Sequence, residues 1–264
     1  MFAGTLRERR RRDLWRSFAR GLWGSDIRSA TCQESGSTTS QLELECAHPK
    51  CNPKIGWAEH VTEHRYRLSF TAGGLLVREA GVVAPHYRRL GDWAQVRAAI
   101  DSDNLLQART VSSGHRLARE VVQRLAELTE DEIDLLVDAS SVERGQLMWA
   151  AACRRYSLLG EFAEEVLREW FLRLAPTLDH SHFDSFVRTK AMWHEELAEI
   201  KESTYRKLRS NVFLMLHEAG LLSNSGHIAP VVFTDRLAAV LASCTNGDVR
   251  FFPANDPVSL RVER

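Results

Sequence analysis

The chain has 264 residues, 44% of them hydrophobic, with 35 Lys and Arg against 35 Asp and Glu. That length supports a substantial core in one large or two small domains. The balanced charge excludes a bulk electrostatic attraction to nucleic acid or to an acidic membrane, so any such affinity has to come from local patches. The five cysteines, Cys32, Cys46, Cys51, Cys153 and Cys244, are odd in number and irregular in spacing. This argues against a disulfide framework and for a reducing compartment. No apolar run reaches the ~20 residues of a bilayer-spanning helix, and the N-terminus lacks the core of a secretory signal. A cytoplasmic protein with no membrane association is expected.

Residues 1–60 differ from the rest, with ten Lys and Arg against seven Asp and Glu. Arg7, Arg9, Arg10, Arg11 and Arg12 stand beside Leu14, Trp15, Phe18, Leu22 and Trp23. That pattern suits an amphipathic basic helix for a membrane surface or a phosphate backbone. Ser35-Gly-Ser-Thr-Thr-Ser40 is polar and of low complexity, hence loose. Cys46, His48 and Cys51 offer half of a zinc site. A structural zinc needs four ligands, and only Cys32 and His60 stand near enough in sequence to complete it, so no metal and no cofactor are expected. Bacterial genes can start at GTG, which is otherwise decoded as Val, and Val61-Thr-Glu-His reads as a domain start. Residues 1–60 are therefore expected to be disordered or a mis-annotated extension.

Three segments follow: an N-terminal helical domain over 61–128, a central helical region over 129–200, and a C-terminal region over 201–264. Thr71 is a candidate cap for a helix to about residue 80, and Gly81 and Pro85 are expected to break it. Gly73 and Gly74 would let a backbone approach a phosphate, but no Gly-Lys-Ser/Thr follows, and close helix packing is the simpler reason for them. Asp92 caps the next helix, with Trp93, Val96 and Ile100 on one face. From Ser112, the stripe Leu117, Val121, Leu125 and Leu128 leaves Arg116, Arg119 and Arg124 on other faces. Thr129 and Glu132 form a capping-box pattern. Leu147, Met148, Trp149, Ala152 and Cys153 mark a central core helix. Residues 161–174 read as a helix with Phe162, Val166 and Trp170 inward and a solvated acidic face. The helix after Leu178 turns Phe183, Phe186 and Val187 inward.

Ser203 or Thr204 can cap a further helix. Its stripe is Leu208, Val212, Met215 and Ala219, and Gly220 is placed for a left-handed stop. Arg206, Lys207 and Arg209 lie in its first turns. A β-rich run with Pro230 follows, suited to an edge or a short hairpin, then a helix from Thr234 and a short strand at Val249-Arg-Phe-Phe252. A capped basic helix followed by a hairpin is the outline of a winged-helix DNA reader. A core helix followed by a loop is the plainer alternative. The helix at 112–128 matches this one in outline: Ser112 falls on Ser203, His115 on Arg206, Arg116 on Lys207, Val121 on Val212 and Leu125 on Leu216. The fold expected is mainly α, bundle-like in its N-terminal and central parts, with a winged-helix-like C-terminal region carrying a short β-hairpin. The histidines are scattered, with no H-E-x-x-H and no nucleophile paired with a base; no catalytic residue is assigned and an enzyme is not expected.

Four stretches carry a family resemblance. They are Leu68-Ser-Phe-Thr-Ala-Gly-Gly-Leu-Leu-Val-Arg-Glu, Asn104-Leu-Leu-Gln-Ala-Arg, Arg154-Arg-Tyr-Ser-Leu-Leu-Gly-Glu-Phe-Ala-Glu-Glu-Val-Leu-Arg-Glu, and Ser203-Thr-Tyr-Arg-Lys-Leu-Arg with Leu216-His-Glu-Ala-Gly-Leu-Leu222. In order and spacing, over about 64–233, the chain resembles the BrxA family, the small component of bacteriophage-exclusion (BREX) systems. The resemblance implies a helical, non-catalytic nucleic-acid-binding protein acting beside the methyltransferase, ATPase and phosphatase-like components of a phage-resistance locus. It also implies a likeness to NusB-type RNA-binding factors. Double-stranded DNA is then the expected ligand, with RNA and a protein–protein adaptor as alternatives and other BREX proteins or a homodimer as assemblies. The DNA-binding residues would be Ser203, Thr204, Tyr205, Arg206, Lys207 and Arg209, joined by Arg116 and Arg119 on the matching helix.

Overall fold

The computed structural model describes residues 65–254 apart from 72, 176 and 244–246. The arginine run and the Cys46–His48–Cys51 group lie outside the described residues. A segment without regular secondary structure, 65–71, precedes helices α1 (Val77–Leu90), α2 (Trp93–Asp103), α3 (Val111–Leu125), α4 (Glu130–Asp138), α5 (Ser141–Arg155) and α6 (Ser157–Phe162). A π-helical turn, Ala163–Arg168, joins α6 to α7 (Glu169–Leu172). Then come α8 (His180–Lys190), α9 (Glu195–Ala198), α10 (Glu202–Glu218), α11 (Asp235–Ser243) and a 3-10 turn, Asp248–Phe251. The chain is mainly helical, as expected. No helix among the described residues is long and apolar enough to cross a membrane.

Five helix starts follow from local chemistry. Asp92 accepts from the Ala94 N–H, and Thr110, Thr129, Ser140 and Asp179 each close a capping box, satisfying donors that the first helical turn leaves open. Two expectations fail here. Thr71 caps nothing: α1 starts at Val77, after Leu76 in a left-handed conformation. Nor do Gly81 and Pro85 break α1, which runs through both. Pro85 lies on the exposed side, where solvent can satisfy the carbonyl one turn back that its missing N–H leaves unpaired.

Helix α5 is the hub. Residues 145–153 are all buried, as expected of a helix that is apolar all round. It touches α1, α3, α4, α6, α10 and the 3-10 turn. Its ends are held by charges. Arg154 donates to Glu132 Oε2 and the Glu127 carbonyl, both at 2.7 Å, and to Asp248. Glu143 accepts from Thr234 at 2.7 Å and from Arg236 Nε at 2.8 Å. With Trp149 Nε1 donating to the Phe251 carbonyl at 2.8 Å, these bonds strap Thr234, Arg236 and the 3-10 turn onto the hub. Buried residues from 66 to 254 form one continuous cluster.

The C-terminal region departs from the winged-helix outline. Among the described residues there is no β-ladder, only isolated bridges, Leu222 to Ile228 and Thr177 to His227. Pro230 has no N–H to extend the first bridge, and the Val231 N–H is taken by the Pro253 carbonyl at 3.1 Å. The expected strand at Val249 is a 3-10 turn, whose arginine-bound Asp248 and Trp-bound Phe251 carbonyl face α5 rather than a strand partner.

Candidate nucleic-acid interface

Helix α10 buries Leu208, Val212, Met215 and Ala219 against α5 and α8, so its stripe is the expected one. Gly220, at φ +71, ends it in the left-handed region that costs glycine least. Its start is different. The N-cap is Lys201, with no side-chain cap. Ser203 and Thr204 therefore sit inside the first turn rather than capping it.

The structure divides the six proposed residues of this helix. Tyr205 and Arg209 are committed inward. Arg209 Nη1 donates to both oxygens of Asp184 on α8, at 3.0 and 2.7 Å, and the Tyr205 hydroxyl donates to the same carboxylate. Burial pushes the Asp184 carboxyl up, but the Tyr205 and Arg209 donors outweigh it and hold it below the usual range. Burial, then the bond to Asp184, raises the Tyr205 hydroxyl. These two side chains fix α10 to α8. Ser203, Arg206 and Lys207 are exposed, and Thr204 is half-buried. Arg206 pairs with Glu202 at 2.7 Å, both side chains more than two-thirds exposed; such a pair is worth only ~0–1 kcal/mol and yields readily to a phosphate. Lys207 makes no ion pair or hydrogen bond among the described residues.

Arg206 and Lys207 border an open cleft of about 310 Å³ completed by Thr71, Ser210, Asn211 and Leu214. Asn211 is buried at its floor and donates from Nδ2 to the Phe70 carbonyl at 2.6 Å, tying α10 to the 65–71 segment. The sequence reading missed Ser210 and Thr71. Ser210 could have been found, since it lies four and three residues after Arg206 and Lys207, on one helical face. Thr71 comes from the far end of the chain, and no local pattern points to it.

Helix α3 presents a second cleft, of about 610 Å³, lined by Val111, Ser112, His115, Arg116 and Arg119. Arg116 and Arg119 are exposed and pair with no carboxylate among the described residues. His115 Nδ1 lies 3.0 Å from Asp101. The outline match between α3 and α10 thus coincides with a pair of basic clefts: His115, Arg116 and Arg119 line one, and their equivalents Arg206, Lys207 and Ser210 line the other. Arg124, the third arginine of α3, is fully buried and donates to Glu120 at 2.9 Å and to the Gly74 carbonyl at 2.7 Å.

The Gly73 and Gly74 loop between the two helices is not open to a phosphate. A Cβ at Gly74 would lie 2.6 Å from Glu218 Oε2, and the Leu75 N–H donates to the same oxygen. The anion this loop holds is a carboxylate of α10. Among the described residues no group of three or more His, Cys, Asp or Glu side chains is arranged to hold a metal ion.

A crystal structure of an uncharacterized protein from Magnetospirillum magneticum matches with a TM-score of 0.61 over 72% of this chain and 98% of its own, at 22% identity, which is a likeness of fold. The BREX protein BrxA of Paramagnetospirillum magneticum is 26% identical over 165 residues, 62% of this chain and 83% of its own length. The BREX protein BrxA of Escherichia coli is 27% identical over 148 residues, 56% of this chain and 70% of its own. That of Bacillus cereus is 25% identical over 165 residues, with 62% and 82% covered. The BrxA family matches residues 64–244, a span that holds the α5 hub and both basic helices, and the chain belongs to that family.

Proposed function

We propose that this protein is a non-catalytic component of a BREX phage-defence system and that it binds double-stranded DNA through α3 and α10. The observation that carries the reading is the placement of Arg116 and Arg119 on one helix and Arg206 and Lys207 on the other. All four are exposed, Arg116 and Lys207 at matching registers, and they are held by nothing stronger than one solvent-exposed pair. Cations so placed can neutralise phosphates on a chain whose net charge is zero. Ser203 and Thr204 would stand beside them as hydrogen-bond donors to the backbone. Arg209 and Tyr205 act one step removed, holding α10 in place through Asp184.

The test is a fluorescence-anisotropy series with the full chain on duplex DNA, single-stranded DNA and RNA of matched length across salt. Duplex DNA is expected to bind best, with a steep salt dependence. Changing Arg116, Arg119, Arg206 and Lys207 together to Ala is expected to flatten the slope of log K against log salt by roughly 3 to 4, at about 0.9 for each phosphate no longer neutralised. Equal binding of the variant would remove both helices from the interface; preference for RNA would replace the ligand.

A second reading, a protein–protein adaptor, rests on Met192 and Trp193, which are 67% and 65% exposed in the turn after α8. Exposed aromatics of this kind anchor interfaces. Binding to another BREX component that is abolished by Trp193→Ala, with no nucleic-acid binding at low salt, would favour it.

A further inference from the structure

We infer that the cleft between Thr71 and α10 is a seat for one phosphodiester group of a nucleic-acid backbone, so that α10 grips the backbone and does not read bases. The inference rests on the nucleic-acid-binding reading above and assigns this site its ligand chemistry. Four features of the cleft fit a phosphate. Its described lining, Thr71, Arg206, Lys207, Ser210, Asn211 and Leu214, holds two cations and two hydroxyls and no carboxylate. Glu202, which pairs with Arg206, stands outside it. Lys207 is exposed and uncommitted, a compact point charge suited to an oxyanion. The floor is rigid, because Asn211 spends its amide on the Phe70 carbonyl and the Thr71 N–H bonds to the Ser69 carbonyl at 2.8 Å.

The same geometry argues against base reading. A recognition helix places several side chains of its first turns on base edges. Here Tyr205 and Arg209, the longest donors of those turns beside Arg206, are turned back onto Asp184. What remains outward, Arg206 and Lys207 with the Ser210 and Thr71 hydroxyls, lines one cleft drawn from two segments that are distant in sequence. A single tetrahedral oxyanion can use cations and hydroxyls gathered in one cleft; a row of bases needs them spaced along the helix.

The experiment uses the full chain and two fluorescein-labelled duplexes of unrelated sequence. Lys207→Ala is expected to lower the salt slope by about 0.9 on both duplexes alike. Thr71→Val with Ser210→Ala removes two neutral donors, and is expected to weaken both duplexes about tenfold with the slope unchanged. Ser210 and Lys207 are exposed, so their single variants test the seat even if Thr71→Val disturbs folding. A Lys207→Ala chain that releases one duplex and keeps the other would overturn the inference in favour of base reading. So would unchanged affinity in the Ser210→Ala and Thr71→Val variants. Failure of the unaltered chain to bind either duplex at low salt would instead remove the nucleic-acid reading itself.

Discussion

Helices α3 and α10 match in outline, yet the fold holds each of them by an arginine at a different position. On α3 the inner arginine, Arg124, is fully buried and bonded to Glu120 and the Gly74 carbonyl. The position matching Arg124 on α10 is Met215, which is core. There the fold takes its arginine from the flank instead: Arg209 reaches across to Asp184 on α8 with about a quarter of its side chain still exposed. Each helix gives up one arginine to hold itself in place, and each leaves its outward pair available. A count of basic residues in a helix therefore overstates what it can offer a ligand. The deciding feature is whether a carboxylate or carbonyl on a neighbouring element lies within reach.

The largest effect that would sharpen this contrast is Arg124→Ala. It would take the ion-pair partner from the Glu120 carboxylate, 15% exposed, leaving it the Tyr156 hydroxyl, and leave the Gly74 carbonyl without the Arg124 donor. Breaking a buried pair from one side costs about 3–5 kcal/mol, read by urea denaturation. Arg116→Ala on the same helix should stay within roughly 0.5 kcal/mol, as exposed substitutions do. A destabilisation below about 1 kcal/mol for Arg124→Ala would show that the buried arginine is not what anchors α3.

Asp184→Asn tests the counterpart on α10 and should cost less, about 1–2 kcal/mol, because the hydrogen bonds are charge-assisted but partly solvated. The folded Asp184 carboxyl lies below its ordinary value of 3.8. Its contribution is therefore complete above pH 3.8 and is lost as the pH falls through the lower folded value. In stability measured from about pH 5 down to about pH 2, the Asn variant should lack this part of the acid limb. It should also release Arg209, so duplex binding is expected to tighten and the salt slope to steepen by about 0.9. A variant with the same acid limb as the unaltered chain would break the link between Asp184 and the withholding of Arg209.

The stripes Leu208, Val212, Met215 and Ala219, the capping box at Thr129 and the core helix around Trp149 all stand where local periodicity and cap chemistry put them. Those signals depend on residues three to five apart. Arg209 looked like its neighbours because its partner Asp184 lies 25 residues away. Thr71 joins a cleft with residues more than 130 positions on. The hairpin failed because the Val231 N–H found Pro253, a pairing that no window around Pro230 contains. The outward positions of Arg116, Arg206 and Lys207 were legible from the stripe alone. Which of the basic residues were already spoken for was not.

The smallest effect concerns the helix starts, where the contrast is reversed. Thr110 caps α3 through a box with Ser113, whereas α10 starts at Lys201 with no side-chain acceptor for its first N–H groups. Lys201 already has the extended backbone of a cap, φ −66 and ψ 138, so only its side chain is wrong: it cannot accept, and its charge opposes the positive end of the helix. Thr110→Ala should therefore cost about 1 kcal/mol, and Lys201→Asn should gain several tenths to about 1 kcal/mol, both read from urea midpoints at neutral pH. The gain should be the smaller of the two, since Asn supplies one acceptor where the α3 box satisfies two donors. If Lys201→Asn destabilised the chain, the start of α10 would have to be held by something other than its missing cap, and the Tyr205 bond to Asp184 one turn further on would be the place to look.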